Sequence, residues 1–595
     1  MPVRRAQSGT VPELWLAAVD AGRTTPAYLA ERGGGWTPVG WAEAGERVEQ
    51  LANGLLALGV SKGDGFAILA TTSYEWLQFD YALALAGGVT VPIYPTSAPD
   101  DCAYALEHGE AIGVLAEDEA QAEKVASFRD RLPRLAHVLT FADLDDLAAR
   151  GTAYAADHPN ALPDRVAEVG PEDLYTFIYT SGTTGPPKAC MITHRNAYET
   201  ATAFADTDAL VGPDDVVLLW LPLAHNFGRF LCLSGVYRSF TVAFLADPHR
   251  LTEALPAIRP TLLPSVPRIF EKVYESTRAA FDQQTGPRRK LVDWALRVGR
   301  RTSKTRQAGR DLPPVLALQH RIADRLVYRK VKDRLGGRLR VAISGAAPIS
   351  VEVLEFFHAL DLLILEGYGL SECTSGASVN LPTAYRFGTV GRPLPKVEAT
   401  IADDGELLLR GPTVFAGYYK NAQATRNVLD EDGWLHTGDV AEIDEDGYIK
   451  ITDRKKDILV TAGGKKIAPQ NLENLLKGSK YVSQALIVGD RRPYIAALVA
   501  LDEEAIGPWA TERGLPRDPG ELSESAEVHD LLQGVVDDVN RGRSGFEQIK
   551  RFAILPRDFS ADEGEVTPTM KLRRRIAEEH FSPQIDALYA EPREG

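Results

Sequence analysis

The chain has 595 residues, 44% of them hydrophobic and 25% charged. That is ordinary globular composition with material for a large core, so disorder as the main state is excluded. Asp and Glu outnumber Lys and Arg by 82 to 66, for a formal net charge of −16, which argues against a general nucleic-acid coat protein.

Four cysteines, Cys102, Cys190, Cys232 and Cys373, do not make a disulfide framework and fit a reducing compartment. The first residues, MPVRRAQSGTVPELW, carry no apolar stretch after their arginines, so no signal peptide is read and a cytoplasmic location is expected. The segment WAEAGERVEQLANGLLALGV (41–60) repeats apolar residues at helical spacing and predicts a helix. GFAILA (65–70) and VTVPIY (89–94) predict short buried strands. The uncharged run YALALAGGVTVPIYPTSAP (81–99) is too broken by Gly and Pro to span a membrane, so it predicts helix, turn and strand. LYTFIYT (174–180), ACMIT (189–193), DVVLLWL (215–221) and FTVAFL (240–245) continue the strand pattern. Such alternation of helix and strand predicts α/β layered sheets.

Residues 271–340 hold 19 Lys/Arg against 7 Asp/Glu, a local balance of +12 that leaves the remainder at −28. Their pattern is amphipathic and helical. A charge run of this kind is usually a solvated face; the sharper expectation is a surface that meets anionic lipid or another anionic ligand. From 388 to 452 the signals change: Asp404-Gly405, Asp432-Gly433 and Asp446-Gly447 are turn signals beside alternating segments. They predict an antiparallel, barrel-like subdomain. The charged stretch after Ile451 reads as a linker. The last 120 or so residues mix helix and strand again.

The most informative stretch is YTSGTTGPPK (179–188). Its hydroxyls, two glycines and Lys188 can wrap a polyphosphate with hydroxyl and amide donors. It is not a Walker loop, because its lysine follows two prolines and a strand rather than a helix comes next. Eight further segments follow in order: LPLAH (221–225), ISGAAPI (343–349), EGYGLSE (366–372), GTVGRPLP (388–395), GELLLRGPTVFAGYYKN (405–421), GWLHTGD (433–439), ITDRKKDILVTAGGKKIAP (451–469) and PTMKLRRR (568–575). Taken together they resemble the motif series of the adenylate-forming superfamily, over nearly the whole chain. LPLAH followed by Phe227 and Arg229 resembles the long-chain fatty acyl-CoA ligase branch, particularly its bacterial members.

The resemblance implies a mixed α/β fold. A large body of two α/β layered subdomains and a barrel-like subdomain would occupy 1–452, with the basic helices as an insertion, and a small mobile α+β domain would occupy 453–595. It implies two steps. A carboxylate attacks the α-phosphorus of ATP to give acyl-AMP and pyrophosphate; the coenzyme A thiol then attacks the anhydride. ATP, Mg²⁺ and coenzyme A are the implied co-substrates and cofactor. Such chemistry needs positioning and charge stabilisation rather than a Ser-His-Asp triad, and no GxSxG elbow is present.

Carried over residue by residue, the resemblance gives the phosphates to Thr180, Ser181, Gly182, Thr183, Thr184, Gly185 and Lys188. Mg²⁺ falls to Glu372 and Thr184. The nucleoside pocket falls to Gly345, Ala346, Ala347, Glu366, Gly367, Tyr368 and Gly369. Ser371 stands where relatives usually carry Thr. Asp439 would take both ribose hydroxyls and Arg454 the ribose or phosphate region. Lys571, His225 and Thr184 are the implied catalytic residues: His225 would orient the substrate carboxylate, and Lys571 would bridge carboxylate and α-phosphate in the first step. Lys456 would be the hinge, and Gly463 and Gly464 would meet the pantetheine.

Other outcomes compatible with the motifs are delivery of the acyl group to a carrier protein, a luciferase-like oxygenase, and a catalytically dead lipid-binding relative. An amino-acid activator would carry an acid near Asn226, and none lies between His225 and Asp247. Fatty acid, ATP and CoA are thus the expected partners, with no nucleic acid and with peripheral membrane contact through 271–340.

Overall fold

The computed structural model describes residues 9–180, 186–207, 210–560, 563–566 and 572–590. Two twisted sheets dominate. The first has six strands in the order His137–Thr140, Ala111–Ala116, Gly65–Leu69, Val89–Ile93, Leu174–Thr180, Lys188–Thr193. All its pairs are parallel except the last, where Leu174–Thr180 and Lys188–Thr193 pair antiparallel. The second sheet has nine strands. Its core, Thr241–Phe244, Val216–Leu219, Leu262–Ser265, Val341–Ser344 and Ile364–Tyr368, is parallel. Parallel strands need helical crossovers and are buried on both faces, which is why GFAIL and VAIS are buried at every position and mostly apolar.

The expected helix is Trp41–Ala57, and the broken apolar run is indeed the helix Tyr74–Leu85, a turn and the strand Val89–Ile93. The Asp-Gly segment forms a four-stranded antiparallel meander, Glu398–Ile401, Glu406–Arg410, Leu435–Ile443 and Ile449–Arg454. Asp404-Gly405 and Asp446-Gly447 turn two of its hairpins, with Gly405 at φ 88° and Gly447 at φ 82°. After residue 458 two further apolar cores begin, and among the described residues neither takes a side chain from before that point. They are built on the strands Val482–Val488, Ala496–Leu501 and Arg551–Ile554 and the helices against them.

The basic insertion is helical throughout: Pro267–Asp282, Gly286–Gln307, and Pro314–Ala323 running through a π-helical turn, Asp324–Tyr328, into Arg329–Arg334. Its inner side joins an apolar core with Val353, Leu354 and Phe357. Arg306 and Lys332 pair with Asp361 beneath it. No helix among the described residues is long and apolar enough to cross a membrane.

Candidate functional site

Strand ends of both sheets converge on one cleft, as expected for ligand sites at the carboxyl ends of parallel strands. Thr180 closes Leu174–Thr180, Gly345 follows Val341–Ser344, and Tyr368 ends Ile364–Tyr368. A cavity of about 1370 Å³ lies there, lined by all three and by Lys188, His225, Ser371, Glu372, Asp439, Arg454 and Lys456. Gly564, Val566 and Arg573 from the last segment of the chain also line it.

The polar half is pre-ordered. Buried Asp439 sits at the end of the pairing between Leu435–Ile443 and Ile449–Arg454, directly opposite Arg454. Its carboxylate accepts from the Tyr368 phenol and lies 3.4 Å from Arg454 Nε. The Tyr418 phenol donates to Glu372 Oε1 at 2.6 Å, while Lys188 Nζ stands 4.9 Å above the Tyr418 ring. One phenol therefore fixes each carboxylate. Lys456 joins the same lining; burial and then the neighbouring Arg454 guanidinium hold its ammonium below the ordinary lysine range.

Backbone shape matters at two places. A Cβ on Gly369 would lie 1.3 Å from the Ser375 carbonyl oxygen, so only glycine fits that crossing. Ala346 is held at φ 70°, an uncommon conformation for a residue with a Cβ.

The apolar half lies between two parallel helices, His194–Ala205 and Asn226–Arg238, tied by Ser234 Oγ donating to Ala201 O at 3.1 Å and Arg238 Nε to Ala205 O at 2.6 Å. Thr200 and Phe204 from the first helix and Phe230, Leu231 and Ser234 from the second line the cavity. His225 caps the second helix, its Nδ1 accepting from Phe227 N at 3.3 Å. One turn on, Arg229 is fully buried. Its Nε donates to Asp80 Oδ2 at 2.9 Å and its Nη1 to Thr176 Oγ1 at 2.6 Å, and a further Nη2 bond reaches Asp80 Oδ1. The guanidinium also stacks over Tyr175 at 4.4 Å. His225 is thereby anchored, through its helix, to the first sheet.

Several expected residues stand elsewhere. Ala347 and Glu366 are off the cavity lining. Glu366 is buried, and desolvation pushes its carboxyl up to about 8 against the pull of the Ile349 and Gly388 backbone N–H groups. Gly463 and Gly464 are also off the lining. Ser181, Gly182, Thr183, Thr184, Gly185 and Lys571 lie outside the described residues. Three residues escaped the sequence reading. Tyr418 was inside a quoted motif, but nothing local says that its phenol holds Glu372. Lys455, paired with Glu406 at 3.0 Å, and buried Asn226, whose amide finds no partner among the described residues, both line the cavity. The polarity of Asn226 among apolar neighbours was its one available signal.

A metal site fits in a limited form. Among the described residues no three His, Cys, Asp or Glu cluster as ligands. Glu372 offers one hard carboxylate at the cavity, and Mg²⁺ commonly takes one or two carboxylates plus phosphate oxygens.

Residues 17–419 match the AMP-binding enzyme family, and residues 456–593 match the AMP-binding enzyme C-terminal domain. The protein named long-chain-fatty-acid–CoA ligase FadD15 of Mycobacterium bovis is 39% identical over 565 residues, 93% of this chain and 93% of that one. Long chain acyl-CoA synthetase 7, peroxisomal, of Arabidopsis thaliana is 32% identical over 587 residues, 93% of this chain and 81% of its own length. Among solved structures, the adenylation domain of a carboxylate reductase from Mycobacterium chelonae aligns with a TM-score of 0.75 at 24% identity, covering 98% of this chain and 91% of that one. Mycobacterium tuberculosis fatty acyl CoA synthetase gives 0.62 at 21%, covering 97% and 99%. At those identities the structural likeness concerns the fold alone.

Proposed function

The chain belongs to the AMP-binding family of adenylate-forming enzymes, and on that premise we propose how its cavity activates a fatty acid with ATP and passes the acyl group to coenzyme A. The activity is that of an AMP-forming long-chain-fatty-acid–CoA ligase. The observation that carries the assignment of roles is the two-part cavity: a polar half with ordered carboxylates and cations, opening into an apolar slot headed by His225.

Tyr368 stacks on adenine and holds Asp439, whose carboxylate accepts from both ribose hydroxyls. Lys188 and residues 181–185 hold the β- and γ-phosphates. Glu372, fixed by Tyr418, holds Mg²⁺, which neutralises phosphate charge when bound. The acyl chain lies between the helices His194–Ala205 and Asn226–Arg238, and His225 orients its carboxylate toward the α-phosphorus. Attack forms the acyl–phosphate bond and expels pyrophosphate; Lys571 stabilises the charge that develops. The CoA sulfur then attacks the acyl carbonyl and AMP leaves.

The division into a body, 1–452, and a mobile domain, 453–595, belongs to the same proposal, with Lys456 as pivot. Presence of Gly564, Val566 and Arg573 on the lining, and absence of Gly463 and Gly464 from it, supports reading this arrangement as the one for the first step. Rotation would then bring the two glycines to the pantetheine. A further part of the proposal is peripheral contact between the basic helices of 271–340 and an anionic membrane.

The test is an ATP- and CoA-dependent assay across short- to long-chain carboxylates, with thioester read by mass. Thioester at long chains, and acyl-AMP alone when CoA is withheld, is expected. No product from any fatty acid would overturn the assignment.

A further inference from the structure

Val315, Leu318, Ile322 and Leu326 are 70%, 58%, 44% and 44% exposed. They are four of the nine large apolar side chains left exposed among the described residues. Spaced three, four and four apart on Pro314–Ala323 and the π-helical turn after it, they form one stripe about 16 Å long at 1.5 Å per residue. Another face of the same helical run is already used: Leu316, Ala323, Val327 and Val331 are buried in the body's core. A surface helix needs only one apolar face to pack. This one carries two, and nothing among the described residues covers the second.

Charge says what would cover it. Arg321, Arg325, Arg329 and Lys330 are exposed and form no ion pair among the described residues. They stand on the same run as the stripe. Aliphatic side chains bordered by long cationic ones are the composition of a helix lying in a bilayer interface, where guanidinium groups reach phosphate while their stems stay in the apolar zone. An acidic protein would match the cations but would not by itself explain the aliphatic row.

We propose that this stripe inserts into the headgroup–acyl boundary of an anionic bilayer, with Arg321, Arg325, Arg329 and Lys330 on the lipid phosphates. The proposal rests on the peripheral membrane contact put forward above and names its inserting element. It places the enzyme where a long-chain acid is concentrated, since such an acid partitions into bilayers.

The full-length protein is sedimented with vesicles of phosphatidylglycerol and phosphatidylcholine, and with vesicles of phosphatidylcholine alone, at low and high salt. Binding to the anionic vesicles is expected, with a residue of binding that survives salt. The double variant L318S/I322S should bind at least about tenfold more weakly at high salt, while forming acyl-CoA from a water-soluble acid at the wild-type rate, which shows it is folded. Equal binding of variant and wild type would overturn insertion and leave a purely electrostatic contact standing. No binding of the wild type to anionic vesicles would overturn both. A second readout is independent of affinity: Ile322→Cys carrying an environment-sensitive fluorophore should shift to the blue on vesicle binding. Cys102, Cys190, Cys232 and Cys373 are buried, so the label is site-selective. An unshifted spectrum with vesicles bound, or a stripe that controls self-association instead, would refute it.

Discussion

Replacing Arg229 should reveal how the body holds the substrate end of the site. Its guanidinium and the Asp80 carboxylate are both fully buried. The carboxylate also accepts from the Thr90 hydroxyl at 2.6 Å and from the Tyr175 phenol. Arg229→Met leaves a charge in the core with two neutral donors and no cation. Removing one partner of such a pair costs about 3–5 kcal/mol, a large share of the roughly 5–15 kcal/mol that holds a domain. Asp80→Asn should cost a similar amount, because it strands the arginine. The double variant should cost less than the sum by about 1–3 kcal/mol, since neither charge is then left alone. Urea unfolding read by tryptophan emission suits the measurement, as Trp76 lies 5.2 Å from the guanidinium. Function should follow: Arg229 is one turn from His225, so KM for the fatty acid should rise in each single variant while KM for ATP holds. Single variants each costing under about 1 kcal/mol, or a double variant equal to the sum, would refute the argument that the pair anchors this helix by mutual neutralisation.

Three further outcomes are expected. Tyr418→Phe removes the donor to Glu372, and a hydrogen bond to a charged group is worth about 1.5–3 kcal/mol; the Mg²⁺ midpoint for acyl-AMP formation should shift by about tenfold or more, and an unshifted midpoint would deny that phenol its role. Lys571→Ala should abolish acyl-AMP formation yet spare thioester formation from supplied acyl-AMP; equal loss of both half-reactions would contradict its assignment to the first. Glu366→Gln concerns pH. Burial pushes the native carboxyl up from its ordinary 4.5 to about 8, so folding takes up a proton between those values, and its stabilising contribution is complete below 4.5 and lost as pH rises toward 8. Melting temperature measured across pH 5 to 8 should fall less steeply in the glutamine variant, and parallel curves would show that burial does not raise this group.

Nine ordered motifs made the family legible because each is a local device: a hydroxyl-rich run of consecutive residues, a glycine crossing at Gly369, a Thr-Gly-Asp segment. Such devices are written in consecutive residues, and so are helix period and strand alternation. The strands and the helical insertion were legible for that reason. The partner of a side chain is a different matter. That Tyr418 holds Glu372, or that Asp80 neutralises Arg229 across 149 positions, depends on how two sheets meet. No local pattern encodes it.

The same division applies to charge. Sequence alone determined that an acidic chain of −16 carries a segment of +12, because counting needs no coordinates. Only the tertiary structure decided which face of that segment packs inward. Leu316 and Leu318 are indistinguishable in the sequence, yet one is buried in the body's core and the other stands in solvent, because a helix apolar on two sides can turn just one of them to the protein.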